Sequence, residues 1–427
     1  MKAYRPDTKR LLVPKKARRY YDANGFRAET VKRPWAITAS VLAVILCVFA
    51  IFFVLMTDIR RDVALAEWWT RHIQSGWEKT VGTLTSWLPF SVLEFFIMLA
   101  IILGVYLVVR LFVNLCTARF KRIGMGALAL GVGVAYLLDM YILSMGFGYY
   151  RAEMPIPQAG KDYKIEQVVQ VVQYYLNDFN KLADTLERDE NGCVKCPYTF
   201  SELAELVDNE YARLNNDYYG DYTPRAKPVV NSWFLSDMLI TGITFLPFGE
   251  VAINVDAPPT SQTLTMAHEL AHAKGIQREG DANLLARYML VSSSNDYLRY
   301  CGYYGAFNNL LQSLLLFEDY INYNILALRL SPYIYAERRY TNDYWNSQPD
   351  YIGQIAEMFN DLYLKLNGSQ NGKDSYYDGN KSDVVTPTDP ETGEPEKDPE
   401  TGEEVRIVVF SQIQMMFFWL YENRPNV

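Results

Sequence analysis

The sequence predicts a mainly α-helical chain in two parts, a three-helix transmembrane anchor followed by an α+β domain with a small sheet. Three observations carry this reading: long apolar runs confined to the first 150 or so residues, apolar spacing of helical period over most of the remainder, and a short β-like stretch between them. The runs cover about 35–57, 91–115 and 124–147. Each is long enough to cross a bilayer as a helix. The first starts too late and is too long for a cleavable signal peptide, and it lacks a small-residue cleavage pattern.

Charge predicts the orientation. The arm 1–34 carries Lys2, Arg5, Lys9, Arg10, Lys15, Lys16, Arg18, Arg19, Arg27, Lys32 and Arg33 against Asp7, Asp22 and Glu29, and the connection between the second and third runs adds Arg119, Lys121 and Arg122. Such basic excess marks the cytoplasmic side. The expectation is a multi-pass cell-membrane protein with a cytoplasmic N-terminus and an extracytoplasmic domain over 148–427. Beside a span, the basic arm suits the lipid bilayer and not nucleic acid. Asp139, inside the third run, reads as a protonated carboxyl or one paired between helices, because that span has no second acidic or histidine partner. Gly124, Gly126, Gly131 and Gly133 read as sites of close helix packing.

In the second part, residues 164–186, 200–215, 305–330 and 350–366 have helical apolar spacing. Val229–Val230, 240–246 and 250–254 read as short strands. Cys193 and Cys196 form a CxxC without a second such pair, so a disulfide or two free thiols is expected rather than a metal site. Residues 377–406 contain the repeat Asp389-Pro390-Glu391-Thr392-Gly393-Glu394 and Asp398-Pro399-Glu400-Thr401-Gly402-Glu403. Too little apolar surface is available there to build a core, which predicts a mobile acidic insertion or exposed hairpin. The apolar tail 407–421 is expected to return to the core.

The chemistry is concentrated at His268-Glu269-Leu270-Ala271-His272, which uses two of the three histidines of the chain. On a helix, residues i and i+4 share a face, so both imidazoles can bind one metal. Glu269 then stands where a general base is needed. The apolar lead-in from Thr263 to Ala267 predicts a buried helix, and buried His and Glu side chains need partners that a zinc ion supplies. Gly275 reads as the helix C-cap. A turn there would bring Glu279 back as third ligand, leaving a fourth position open as in catalytic sites. Asp281 is the alternative ligand, and Asn283, one turn after Glu279, is placed to orient a ligand indirectly. Both acidic residues would also suit a helix N-terminus.

HELAHAKG followed by Glu279-Gly280-Asp281-Ala282-Asn283, with Gly249-Glu250-Val251-Ala252-Ile253-Asn254 upstream, resembles an uncharacterised family of bacterial membrane-anchored proteins that carries a domain-of-unknown-function label. The resemblance covers most of the chain from the membrane segments onward. It implies a zincin-like metallopeptidase fold, although the family's activity is itself inferred from the motif. Position 281 is Asp where the family pattern has Glu, which favours Glu279 as the ligand. The site also resembles the glutamate-zincins, whose third-ligand Glu is followed four residues later by Asp or Asn. A metzincin would need a third histidine at Arg278, which cannot ligate zinc.

These features predict a zinc-dependent peptidase acting on a peptide or protein substrate. The strand at Glu250–Asn254, with Glu250 and Asn254 on one face, is expected to present its edge to the substrate. Tyr297, Tyr300, Tyr303 and Tyr304 are candidates to stabilise an oxyanion. The competing expectation is a non-catalytic sensor or scaffold that keeps zinc for stability. An intact Glu269 speaks against it.

Overall fold

The computed structural model describes residues 20–22, 25–27, 34–155, 162–214, 218, 224–369, 371–388, 392, 394–398 and 402–424. Most of the basic arm, and with it the expected lipid contact, lies outside the described residues. The chain divides into two compact units, Met1–Leu55 with Val105–Asp139, and Met56–Gly104 with Met140–Val427.

The first unit holds a short hairpin of β1 (Tyr20–Asp22) and β2 (Gly25–Arg27), most of α1 (Pro34–Ile59), the second half of α4 (Val92–Cys116), and α5 (Phe120–Tyr141) up to Asp139. Three helices are long and apolar enough to cross a membrane: Trp35–Ile59, Val92–Cys116 and Phe120–Gly146, the last continuing α5 through a π turn. Within this unit Phe49 meets Tyr136 and Lys121 lies over Trp35. Of the four glycines expected to pack, Gly131 alone comes close to a neighbour, Leu46, while Gly124, Gly126 and Gly133 face open space. Asp139 is buried, and its Oδ1 accepts no hydrogen bond among the described residues.

In the second unit, the connection between the first two of these helices is itself structured. It forms α2 (Val63–Trp69), a π turn and α3 (Ser75–Ser86). Trp69 donates to the Leu143 carbonyl at 2.9 Å and stacks on Phe147, and Trp77 donates to the Leu246 carbonyl at 3.1 Å. Hydropathy sees only a loop there, because the tryptophans are spaced among polar residues.

The core is helical. It is built from α6 (Ile165–Thr185), α7 (Phe200–Leu214), α9 (Pro259–Ala273), α10 (Glu279–Val291), α11 (Asp296–Gln312) and α15 (Gln412–Glu422), with Phe179, Met266, Leu290, Phe307 and Phe417 fully buried among them. The expected helix 305–330 is interrupted. After α11 a 3₁₀ turn ends at Glu318 with φ 57°, and α12 (Tyr320–Leu328) restarts with the Asp319 side chain accepting from Asn322 N. α13 (Pro332–Asn346) and α14 (Asp350–Leu366) follow.

A sheet in the order β3 (Ala226–Pro228), β5 (Glu250–Ile253), β4 (Gly242–Phe245) lies beside α9, with α8 (Ser232–Asp237) inserted after β3. β3 pairs parallel and β4 antiparallel to β5. The acidic insertion is framed by β6 (Asp383–Val385) and β7 (Ile407–Val409), an exposed antiparallel pair, with isolated bridges Thr388↔Pro395 and Lys397↔Glu404 inside it. Residues 377–380 belong to the 3₁₀ segment Gly372–Asn380, and the pairing of β6 with β7 begins only after it. The tail does return to the core, through Ile413, Phe417 and Phe418 of α15. Cys193 and Cys196 are free thiols.

Candidate functional site

α9 opens with Pro259, whose fixed φ and missing N–H suit the first turn, and most of its length is buried. Its i, i+4 spacing brings His268 Nε2 and His272 Nε2 within 3.0 Å. The helix ends where expected. Gly275 has φ +90°, a left-handed conformation that favours glycine, and Arg151 Nη1 donates to its carbonyl at 3.0 Å.

This turn starts α10 at Glu279 and returns that side chain to the histidines. Glu279 Oε2 lies 3.1 Å from His268 Nε2 and 3.3 Å from His272 Nε2. His268, His272 and Glu279 form the one group of potential metal ligands that converges among the described residues, with ligand atoms within 4.8 Å of one another. A tetrahedral ion with bonds of about 2.0–2.1 Å has ligand atoms roughly 3.3 Å apart, so the three side chains fit such an ion. Among the described residues nothing gives the buried Glu279 Oε2 a well-formed hydrogen bond, as suits a ligand atom aimed at a cation. His272 Nδ1–H donates to the Ile276 carbonyl at 2.6 Å, which leaves Nε2 as the ligating atom. Burial would lower the basicity of His272, but the Glu279 carboxylate outweighs it and holds the imidazole up, to about 9. Burial would likewise raise Glu279, but His272 and His268 bring it down to about 2.

Glu269 is buried on the same helix, and its Oε2 accepts from Thr244 Oγ1 of β4 at 2.7 Å. β4 can come this close only because residue 242 is glycine, since a Cβ there would lie 2.8 Å from Glu269 Cγ and 2.6 Å from Thr265 Cγ2. The strand at the site is thus β4 and not the expected Glu250–Asn254 strand. β5 is central in the sheet and has no edge to offer. Glu250 is turned away, accepting from the N–H groups of Val92 and Leu93 and pairing with Lys227 Nζ at 3.0 Å. It caps the N-terminus of α4. Asn254 is spent on Ser236 and the Ile240 carbonyl.

Glu269 and the three convergent side chains line a cleft of about 790 Å³, walled on one side by β4 and roofed by α14 and the 3₁₀ segment Gly372–Asn380. Asp281 takes no part in the cluster. It is held by Arg278 at 2.7 Å and faces a second, smaller cavity, apart from the three convergent side chains. Asn283 donates to the Tyr376 carbonyl at 3.1 Å, so it orients the roof segment rather than a ligand. Three of the four expected tyrosines are core residues and Tyr304 is half-buried against the core: Tyr297 bonds Thr263, Tyr300 bonds Glu337, Tyr303 bonds Asp178 and Tyr304 bonds Thr341. The aromatic ring beside His268 belongs instead to Tyr376, with ring centroids 6.4 Å apart, and the Tyr376 hydroxyl accepts from Asn360 Nδ2 at 3.4 Å. Burial, then the charge of Glu279, raises its pKa and keeps the phenol protonated. Its position could not be read from a sequence separation of about a hundred residues.

A family profile described as protein of unknown function, DUF3810, matches residues 69–379, more than half of the chain. The chain belongs to this family. The match runs from the structured connection after the first span, through the HELAH helix, to the roof segment that carries Tyr376, so every residue of the DUF3810 cleft named above falls within it. No curated protein matches the sequence, and no solved structure matches it.

Proposed function

We propose that this DUF3810 protein is a membrane-anchored, zinc-dependent metallopeptidase that hydrolyses amide bonds outside the cytoplasm. The observation that carries the reading is the convergence of His268 Nε2, His272 Nε2 and Glu279 Oε2 in a cleft that also holds Glu269. Zinc bound by these three residues would supply a Lewis acid that polarises a carbonyl and acidifies water.

The chain's own residues do the rest. Among the described residues β4 has a strand partner on one side only, so an extended peptide can pair along its other edge, within the cleft. Thr244 holds Oε2 of Glu269, leaving Oε1 to take a proton from the attacking water. Water adds to the carbonyl carbon, the C–N bond breaks, and Glu269 returns the proton to the leaving nitrogen. Tyr376 donates its hydroxyl to the oxyanion that develops.

The distribution of basic residues supports a cytoplasmic N-terminus and three crossings, with the cleft outside. A reporter fused after residue 150 should then be extracytoplasmic, and protease added to intact cells should remove the domain; protection of the domain reverses the orientation. The catalytic reading is tested on the purified full chain by metal analysis and a peptide library. Wild type should carry zinc and cleave, and Glu269→Gln should keep zinc while losing turnover, because an amide cannot accept the proton. Unchanged turnover would remove Glu269 from the mechanism, and zinc without any cleavage would favour a scaffold.

A further inference from the structure

The roof helix of the cleft carries a second face that catalysis leaves unused. Ile355, Met358, Phe359, Leu362 and Leu366 of α14 fall at i, i+3, i+4, i+7 and i+11, on one side of the helix, and each is 53–68% exposed. The opposite side, with Gly353, Ala356, Asn360 and Tyr363, lines the cleft. Charges keep to one flank, where Lys365 pairs with Asp361 at 2.7 Å. An unbroken row of large apolar side chains needs a cover.

Three attachments within the second unit fix the depth of this row. At its C-terminal end, Arg60, the residue after the first span, donates to Asn367 Oδ1 at 2.9 Å and to the Leu366 carbonyl at 3.1 Å. One turn earlier, Tyr363 accepts at 3.1 Å from the hydroxyl of Tyr141. Tyr141 lies inside the third span, short of its end at Gly146 by roughly 7 Å at 1.5 Å per residue. At the N-terminal end Gly353 packs under Leu239, just beyond α8. The chain entering α8 is in turn tied to the second span, where the Glu94 carboxylate accepts from Val230 N and Asn231 N at 2.9 Å. Trp233 and Phe234 of α8 are also exposed, as aromatic residues at a membrane boundary are. Within the second unit the row thus lies level with the helix ends held there, at Arg60, Glu94 and Tyr141.

We propose that the apolar face of α14 is seated in the lipid bilayer, so that the cleft opens at the membrane surface and takes polypeptide segments held beside the membrane by an anchor of their own. A helix with one apolar and one charged side lies in this way at the headgroup boundary. The substrate class rests on the peptidase reading above; the lipid seating does not.

The test uses the full chain in phospholipid nanodiscs, with a photoreactive benzoylphenylalanine at position 359 and, as control, at the exposed position 339 of α13. Irradiation should give phospholipid adducts at 359 several-fold above those at 339. Adducts no more frequent than the control, or cross-links between two copies, overturn the lipid seating. This readout needs no enzymatic activity. For the substrate class, one peptide is compared free and carrying a membrane anchor. The variant F359E/L362E should keep its zinc and its cleavage of the free peptide while cleavage of the anchored peptide falls at least tenfold. Should that variant lose zinc, Phe359→Gln replaces it with the same expectation. Equal effects on both substrates, or equal cleavage of both by wild type, overturn the substrate class, whereas absence of any cleavage overturns the peptidase reading and leaves the cross-linking result to decide the seating.

Discussion

The two helical walls of the cleft are built on opposite terms. α9 buries ten of its side chains in the core and presents His268, Glu269 and His272 from a helix gripped on every side. α14 buries only Gly353 and Leu364 among its described side chains, and otherwise holds its place through Tyr363, Asn367 and the bonds to Arg60. On the zinc-peptidase reading proposed above, the difference separates two tasks. Ligand atoms must be fixed to fractions of an ångström before the ion arrives, and dense packing does that. A roof over a substrate cleft must admit a chain, and an element with few buried contacts opens at lower cost.

The largest effect that would sharpen the contrast lies on the packed wall. Glu279→Ala should lower zinc affinity by orders of magnitude, because two neutral imidazoles remain for a divalent cation. Asp281→Ala, two residues along the same helix, should cost on the order of 10-to-100-fold at most, since its carboxylate is engaged by Arg278. Zinc content of the two variants at matched pH is the measurement. Full occupancy in Glu279→Ala would break the assignment of the third ligand.

Tyr376→Phe probes the roof. The variant keeps the ring beside His268 and removes only the hydroxyl, so zinc should stay bound while kcat falls about 100-fold with KM little changed. A rise in KM alone would make Tyr376 a substrate contact instead.

How much of this could be read in advance follows the same division. The ligand wall is local: His268, His272, Gly275 and Glu279 close on one another within twelve residues through one helix, one left-handed glycine and one helix start. Helical period and C-cap chemistry suffice to place them. The remaining parts are assembled from a distance. β4 faces the cleft because β5 takes the centre of the sheet, and no alternation pattern in four-residue strands ranks one as edge. The hydrophilic face of Glu250 and Asn254 looked like a substrate surface and turned out to serve α4 and α8, whose partners lie 158 and 18 residues away. Tyrosines close to the motif in sequence were drawn into the core, while Tyr376 arrived on a 3₁₀ turn after α14. The three long apolar helices were legible to within four residues at each end, because length and apolar composition alone define them.

Stability should divide along the same line. Met266→Ala, a fully buried side chain on α9, should cost about 2–5 kcal/mol through the cavity it leaves. Ile355→Ala on α14 should stay within about 0.5 kcal/mol in detergent, where the exposed side chain has no protein cavity to vacate. Denaturation of the two variants under one condition compares them directly. A comparable loss from Ile355→Ala would mean that the roof is packed as tightly as the ligand wall.

The smallest effect belongs to the acidic hairpin, although it joins two parts that matter. Before it runs the roof segment carrying Tyr376, and after it runs α15, whose Phe417 and Phe418 are wholly buried. Both anchors lie on the near side of the register pair Val385↔Ile407, and the strands β6 and β7 expose their side chains or half-bury them. Replacing residues 386–406 by Asn-Gly therefore closes the same antiparallel pair with a two-residue turn whose twist matches the strands. Among the described residues the replacement removes the Arg406–Glu318 pair at 2.9 Å, and both partners are more than half exposed, so it contributes little. The shortened chain should keep its zinc and its turnover, with stability changed by no more than about 0.5 kcal/mol. Loss of zinc or of cooperative unfolding would show that the repeat braces the roof, and the contrast between a packed wall and a lightly held one would then have to include it.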